Sequence, residues 1–568
     1  MGNLNSEFDA IVIGSGISGG WAAKELTEKG MKTLLIERGR PVEHGTDYIG
    51  ENLDPWEMKF RDKVDPNLAN SQHMIQKKCY AFMDSTKHFF VNDKDHPYSH
   101  EPDKPFDWIR GYHLGGRSLL WHRQTFRLSD LDFSANASDG YGVDWPIRYK
   151  DIKPWYDHVE TFIGVSGSME GISQLPDGIF LPPLEMNCVE KEFKAITEKT
   201  YTGRKVIIGR CAHLTEPQPI HLELGRGTCQ SRDQCQRGCS FGAYFSSQSA
   251  TLPAAERTGN LTTITHSIAH SLIYDDTTGK ASGIKVIDAN TKEHRIYSAR
   301  VFFLCASTLG TTQILLNSAS NDLPKGFANQ SGTLGHYLMD HTMLAGANGR
   351  YLGHEDKYYL GRRPTGIYVP RFRNVTDKHP DFVRGYGFAG AARREGWKEM
   401  ANKKGFGAEY KNSIRLPGPW TINLAGFGEM LPDYNNHVRL HKTKRDKWGI
   451  PLLHISCSYG NNDIKMKQDM ADTAAEMLTA AGLVDVKPYF HKMAPGLAIH
   501  EMGTARMGHD PSTSVLNSHN QCHDVKNVFI TDGAAMTSSA CQNPSLTYMA
   551  LTARAMDFAV QEIKQGNL

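Results

Sequence analysis

The sequence predicts an α/β fold: a Rossmann-like nucleotide unit opens the chain, and a mostly antiparallel sheet with covering helices occupies much of its later half. Three observations carry this. A glycine-rich turn at residues 14–19 lies between an apolar run and a helix-like segment. An acidic residue, Glu37, closes a second apolar run, and strand-like, aromatic-rich pieces gather between residues 349 and 490.

Residues 8–13 are apolar with one polar interruption, as a buried parallel strand requires. Gly14, Gly16 and Gly19 follow at GxGxxG spacing, and residues 21–29 read as a helix. Each glycine has a mechanical duty: Gly14 allows the tight turn, Gly16 lets the backbone approach a pyrophosphate, and Gly19 lets helix and strand close together. The helix N-terminus then presents free amides and a positive dipole end to phosphate. Residues 33–36 form the second strand, and Glu37 at its end is placed to accept hydrogen bonds from ribose hydroxyls. Strand, turn, helix, strand and acid in this order point to a dinucleotide, without separating FAD from NAD.

Further along, residues 43–105 are polar and without periodicity, an excursion out of the nucleotide unit. A segment at 108–127 carries Gly115 and Gly116; a helix is predicted over 150–162, and strands over 261–264, 281–288 and 300–305. Between 349 and 490 aromatics accumulate, among them Tyr351, Tyr368, Tyr386, Trp397 and Trp420. Strand-like pieces at 368–373 and 437–441 precede a helix predicted over 463–481.

At 568 residues the chain can bury a large core, about three or four domain equivalents. Its 64 basic and 62 acidic residues nearly cancel, so no nucleic acid or polyanionic partner is expected. No apolar run approaches the ~18 residues of a membrane span. No charged-then-apolar leader opens the chain. Residues 1–6 match a myristoylation pattern, but the first strand follows so closely that chance is the better reading.

Ten cysteines in so long a chain do not make a disulfide scaffold. Cys229, Cys235 and Cys239, however, fall within eleven residues, amid polar side chains and a glycine. Three thiolates so close can converge on one soft metal centre; a disulfide with a spare thiol, or zinc completed elsewhere, are the alternatives.

Several ordered landmarks resemble the glucose–methanol–choline oxidoreductases along nearly the whole chain. They are Gly115 and Gly116 with Trp121; Asp144, Trp145 and Pro146; residues 305–316; and residues 334–341, which end in Asp340 and His341. The strongest is C-terminal: residues 500–504 beginning His500 and Glu501, then Asp532 and Gly533, then residues 542–547 with Asn543 and Pro544. The C-terminal part is most similar to the bacterial branch of sugar dehydrogenases and pyranose oxidases, and within it to the glucoside 3-dehydrogenases.

The resemblance implies a discontinuous Rossmann-like FAD-binding domain (1–165, 225–345 and 497–568) and a substrate domain (166–224 and 346–496). It implies FAD contacts from Gly14, Gly16, Ser18, Gly19, Glu37, Arg38, Gly115, Gly116, Ser118, Ala306, Asp532, Gly533, Asn543 and Pro544. Several relatives attach flavin covalently to a histidine just before the tryptophan of the Gly-Gly segment. Leu120 stands there in this chain and His122 lies beyond Trp121, so noncovalent FAD is expected. His500 takes the role of base and Asn543 that of a neutral hydrogen-bond donor to the substrate oxygen. An imidazole suits the task because its ordinary pKa, ~6.5, lies near working pH.

The cysteine run is similar to a segment of bacterial FAD-dependent glucose dehydrogenases whose three cysteines hold a 3Fe–4S cluster. A cluster would favour a dehydrogenase over an oxidase, with electrons passing to an external cytochrome c or quinone, since no haem-attachment motif is present. Relatives often work with a small subunit bearing the export signal, so periplasmic co-export stands beside the plainer cytoplasmic expectation. The reading is oxidation of a secondary ring hydroxyl of a pyranose or glycoside, C3 preferred. A peroxide-releasing oxidase is the alternative, and an FAD-retaining lyase a further one. Most aromatics between 349 and 490 are expected in the core, one or two in a sugar-stacking wall.

Overall fold

A computed structural model describes residues 7–54, 56–359, 366–396, 399–400 and 404–568. The myristoylation-like opening and Trp397 lie outside them. A five-stranded parallel sheet runs in the order Val528–Ile530, Ala299–Leu304, Phe8–Ile13, Thr33–Ile36, Leu261–Ile264. Its strands other than the edge strand Leu261–Ile264 are largely apolar on both faces because both are covered. Ala10, Val12, Leu35, Val301 and Phe303 face the helices Ile17–Glu28 and Ser545–Lys564, where Ala22, Leu26, Met556 and Ala559 meet them. Ile11, Ile13, Leu34, Phe302 and Leu304 join the opposite core with Leu272 and Ile284. Those two belong to an antiparallel meander, Ser267–Asp275, Lys280–Asp288 and His294–Tyr297.

The second large sheet is antiparallel: Val484–Phe490, Ala345–Tyr351, Trp420–Glu429, Tyr386–Arg394, Ile367–Val369, Ile207–Ile208, with His341–Thr342 added along Trp420–Glu429. Period two gives it two faces. Trp420, Ile422 and Leu424, with Tyr386, Phe388, Ala345 and Ala347, point to one side and pack under the helices Asn461–Ala480 and Cys188–Thr200. Gly426 and Gly428 belong to this face: a Cβ there would stand 2.6 Å and 2.3 Å from atoms of Met470. The opposite face is free to line a cavity.

Several expectations shift in detail. The strand expected over 368–373 is cut to Ile367–Val369 by Pro370, which has no N–H for the ladder. The piece at 437–441 is a strand, His437–Arg445, but outside the large sheet. It pairs antiparallel with Pro451–Ser456, which runs parallel to Ser99–His100. Val438, Leu453 and Ile455 there bury against Phe106 and Trp108. Residues 43–105 form the expected irregular excursion, with one helix, Pro66–Gln72, and short 3₁₀ turns. Among the described residues no helix is long and apolar enough to cross a membrane.

Arg384 ties the large sheet to the short helix Ala135–Asp139. Its guanidinium donates to Glu429 Oε1 at 2.6 Å, to Asp139 at 2.5 and 2.9 Å, and to Asn136 Oδ1 at 2.8 Å. Glu429 is 1% exposed, so its charge has no recourse to water. We expect Arg384→Met to destabilise the protein by ~3–5 kcal/mol, as stranding one member of a buried pair does, read by denaturant unfolding; Arg384→Met with Glu429→Gln should recover part of the loss.

Candidate active site

One cavity of about 810 Å³ runs from the glycine-rich turn to the free face of the antiparallel sheet. That is within the ~300–1,000 Å³ of ordinary small-molecule sites. The turn shapes its first end. Gly14 has φ +95°, and a Cβ on it would sit 2.5 Å from the Cys305 carbonyl oxygen. A Cβ on Gly19 would lie 1.7 Å from the carbonyl oxygen of Gly14, which is the close approach of helix to turn that the spacing predicts. Gly16 differs: nothing lies within 4 Å of its added Cβ, so the bare backbone at the helix N-terminus faces open space. That opening, beside a helix N-terminus, fits a pyrophosphate.

Ser15, which sequence reasoning passed over, knots the end together. Its hydroxyl donates to Glu37 Oε2 at 2.5 Å and accepts from the Gly115 N–H at 2.8 Å; its own N–H donates to Glu37 at 3.2 Å. Gly39 N–H donates to the other Glu37 oxygen at 2.8 Å. Burial pushes the Glu37 carboxyl up, opposed by these donors. Glu37 therefore lines the ribose end with lone pairs partly spent on holding the turn.

Gly14, Gly16, Ser18, Glu37, Arg38, Gly116, Ser118, Ala306, Asp532, Gly533, Asn543 and His500 all line this cavity. Gly19, Gly115 and Pro544 stand behind the wall and shape it. A Cβ on Gly115 would collide with the Gln248 amide at 1.9 Å, and Pro544 caps the helix Ser545–Lys564. The Arg38 guanidinium lies 4.0 Å from the Tyr112 ring centroid. Asp532 accepts from the Thr311 hydroxyl at 2.5 Å and the Ala534 N–H at 2.9 Å, and burial pushes it up to about 6.

At the far end stands His500. Its backbone N–H donates to Asp340 Oδ1 at 3.1 Å, and Asp340 Oδ2 accepts from Gly496 N–H at 2.6 Å and Ala498 N–H at 3.1 Å. One buried carboxylate thus shapes the loop that carries His500. The next residue, Glu501, receives a two-pronged hydrogen bond from Arg117, at 2.9 and 3.2 Å, joining this loop to the Gly115–Gly116 turn. The His500 ring contacts His341, Nδ1 to Nδ1, at 2.9 Å. Burial, then the neighbouring His341, Arg117 and His122, hold His500 well below the usual imidazole range. Among these, Asp340 and His341 lie inside a segment quoted for its resemblance, but nothing in the spacing gave them a role.

The sheet wall keeps its largest rings in the core: Tyr368, Tyr386 and Trp420 are buried, and Phe427 alone of the described aromatics between 349 and 490 lines the cavity. Alternation explains why: the cavity face of the same strands carries Asn348, Ala389, Ala391, Arg393, Asn423, Ala425 and Phe427. Asn423 Nδ2 donates to Asn348 Oδ1 at 2.6 Å, a cross-strand amide pair on the wall. Amides and small side chains leave room for, and hydrogen-bond to, a hydroxylated ligand.

The cysteine run forms a separate small cavity of about 30 Å³ lined by Cys229, Cys235 and Cys239 with His213 and Tyr244. All ten cysteines are free thiols, which removes the disulfide alternative. Among the described residues no three His, Cys, Asp or Glu side chains gather tightly enough to hold one metal ion, which supports neither zinc nor a cluster on this run. The three thiols suit a cluster in donor type, but a space that size takes about one water, so the run must open to admit one.

Family models of the GMC oxidoreductases match residues 8–343 and 432–552. The chain belongs to this family. It is similar to the fructose dehydrogenase large subunit of Gluconobacter japonicus, 25% identical over the whole of both chains. It is also similar to 2-methyl-1,2-propanediol dehydrogenase of Mycolicibacterium austroafricanum, 27% identical over 97% of this chain and 94% of that one. Pyridoxine 4-oxidase of Mesorbium loti shares the fold, with a TM-score of 0.60 and 16% identity over 97% of this chain and 98% of that one. This GMC oxidoreductase is an FAD-dependent enzyme acting on alcohol or sugar hydroxyls.

A base acts only when neutral. Because His500 sits well below its ordinary 6.5, it stays neutral as pH falls through that value. We expect kcat/KM to hold level through pH 6.5 and to drop only at distinctly lower pH; an acid limb centred at or above 6.5 would contradict the burial argument.

Proposed function

We propose that this enzyme oxidises a secondary ring hydroxyl of a pyranose or glycoside, with C3 preferred, as a dehydrogenase. The observation that carries the reading is the joint placement of His500 and Asn543 on the cavity that begins at the nucleotide turn and ends on an amide-bearing sheet face. His500 takes the hydroxyl proton, and the uncharged Asn543 amide donates to the substrate oxygen as its charge develops. Bound FAD supplies the two-electron acceptor for the hydride. The C3 preference follows the C-terminal resemblance, and the two dehydrogenase relatives favour an acceptor other than dioxygen. The FAD is held noncovalently, with buried Leu120 on the cavity wall where an attaching histidine is expected.

We expect His500→Ala to keep its FAD but to lose turnover by several orders of magnitude, and Asn543→Ala to slow flavin reduction chiefly. Anaerobic addition of glycosides should bleach the flavin of the parent enzyme. Product NMR should show a 3-keto sugar; a 2-keto or lactone product would overturn C3. Flavin that stays oxidised with every glycoside would reject the reading, and faster turnover with dioxygen than with an artificial acceptor would favour an oxidase.

A 3Fe–4S cluster on Cys229, Cys235 and Cys239 completes the proposal. Such a cluster supplies one-electron steps between flavin and an external cytochrome c or quinone. Two buried guanidiniums support it. Arg123 lies 3.4 Å from the centre of the Tyr244 ring, and Arg226 bonds the carbonyls of Gly242, Phe162 and Ile163. Both are about 1% exposed or less, and neither has a carboxylate partner among the described residues. An anionic set of thiolates would balance them. The large-subunit name of the Gluconobacter relative supports a smaller partner chain, with which this one would be exported. Protein purified without oxygen should contain iron and acid-labile sulfide; the absence of both would defeat the assignment.

A further inference from the structure

We propose that His341 is a positioning residue that holds His500 in the one tautomer able to act as base. The inference rests on the reading of His500 just given. His341 is fully buried and does not line the cavity, so whatever it does to the substrate it does through His500. It lies on the short strand His341–Thr342, paired with Glu429 and Gly428 of the wall strand, and its backbone carbonyl accepts from the Tyr459 hydroxyl at 2.9 Å. The ring therefore has a fixed base on which to stand.

Two of the ring's polar contacts bear on its tautomer. Nε2 lies 3.2 Å from the Ser539 carbonyl oxygen, and Nδ1 lies 2.9 Å from Nδ1 of His500. A carbonyl oxygen only accepts, so Nε2 of His341 carries a proton. Burial holds this imidazole neutral, at a pKa of about 4. A neutral imidazole has a single N–H, so Nδ1 of His341 offers only a lone pair. Across the Nδ1 contact His500 must then be the donor. His500 is neutral as well, so its only N–H is spent on that contact and Nε2 is left bare. The Ser539 carbonyl thus decides, two rings away, which nitrogen of residue 500 is basic.

Catalysis needs this choice. As the substrate C–H leaves as hydride to the two-electron acceptor, the hydroxyl proton passes to Nε2, a carbonyl product forms, and the proton on His500 later returns to solvent. An imidazolium keeps its Nδ1–H, so the bond to His341 survives the transfer and steadies the charged form. In the other tautomer Nε2 already holds a proton and cannot accept one.

Two substitutions separate the contacts. His341→Asn sets an amide at the level of Nδ1, where its Oδ1 can accept from His500. His341→Gln sets the amide near the level of Nε2, keeping the Ser539 contact and leaving His500 Nδ1 without an acceptor. Flavin reduction by a bleaching glycoside, followed anaerobically by rapid mixing, should fall by about 100-fold in the Gln variant with half-saturation unchanged. That is the low end of what a positioned base contributes. The Asn variant should recover to within about tenfold of the parent. Equal rates in the two variants, or a loss shared with half-saturation and FAD content, would overturn the inference. Histidine ¹⁵N NMR of the parent, assigned by difference with His500→Ala, reads the tautomer without touching residue 341: Nε2 should be unprotonated, and a protonated Nε2 at neutral pH overturns the inference. His500→Ala keeping the parent's rate would instead defeat the base reading itself, whereas an inactive His500→Ala beside equal Asn and Gln variants sinks only the role of His341.

Discussion

The hydroxyl of Ser15 holds the nucleotide end together, because it joins three pieces of chain that are remote in sequence. It donates to Glu37 at the end of the second strand and accepts from Gly115, a hundred residues on. Without it the carboxylate would be buried with fewer donors, and burial of an ionised carboxyl is costly unless hydrogen bonds repay it. The same oxygen therefore secures the Glu37 charge and the approach of the Gly115–Gly116 turn. That turn in turn presents Arg117 to Glu501, next to His500.

A second buried carboxylate plays the equivalent part at the other end. Asp340 is fully enclosed and pushed up to about 7 by burial, then by Glu501, yet it gathers the amides of Gly496, Ala498 and His500. Its neighbour His341 reaches the imidazole of His500 from behind. Two adjacent residues thus hold the one side chain of His500, one through its backbone and one through its ring. Such an arrangement costs stability in desolvation and gives geometric constraint in return, the usual exchange at an active site.

The sequence was informative where local pattern dictates structure. The glycine spacing, the apolar strands at 8–13 and 33–36, and the helices near 150–162 and 463–481 appear close to their expected places. The strands Ser267–Asp275 and His294–Tyr297 were not legible. Register shifts interrupt the period of the first, and the second is largely exposed. Strand His437–Arg445 was visible as a strand but not its partners, since pairing is a long-range property. In the site, glycines and the His500 and Asn543 motifs were readable, whereas Ser15, Asp340 and His341 act through contacts 22 to 198 residues apart, several of them to backbone amides, that no spacing reports. Most of the aromatics fall in the core as expected, because an alternating strand keeps its large rings on the face hidden beneath the helices.

That alternation has an evolutionary consequence. Residues such as Asn348, Ala391, Asn423 and Phe427 touch the ligand space, while their neighbours one step along the chain carry the packing. Mutations on one register can accumulate without disturbing the other, so selectivity can drift while foldedness is conserved. Two relatives about equally distant from this chain, one named for fructose and one for a branched diol, are what such decoupling would yield.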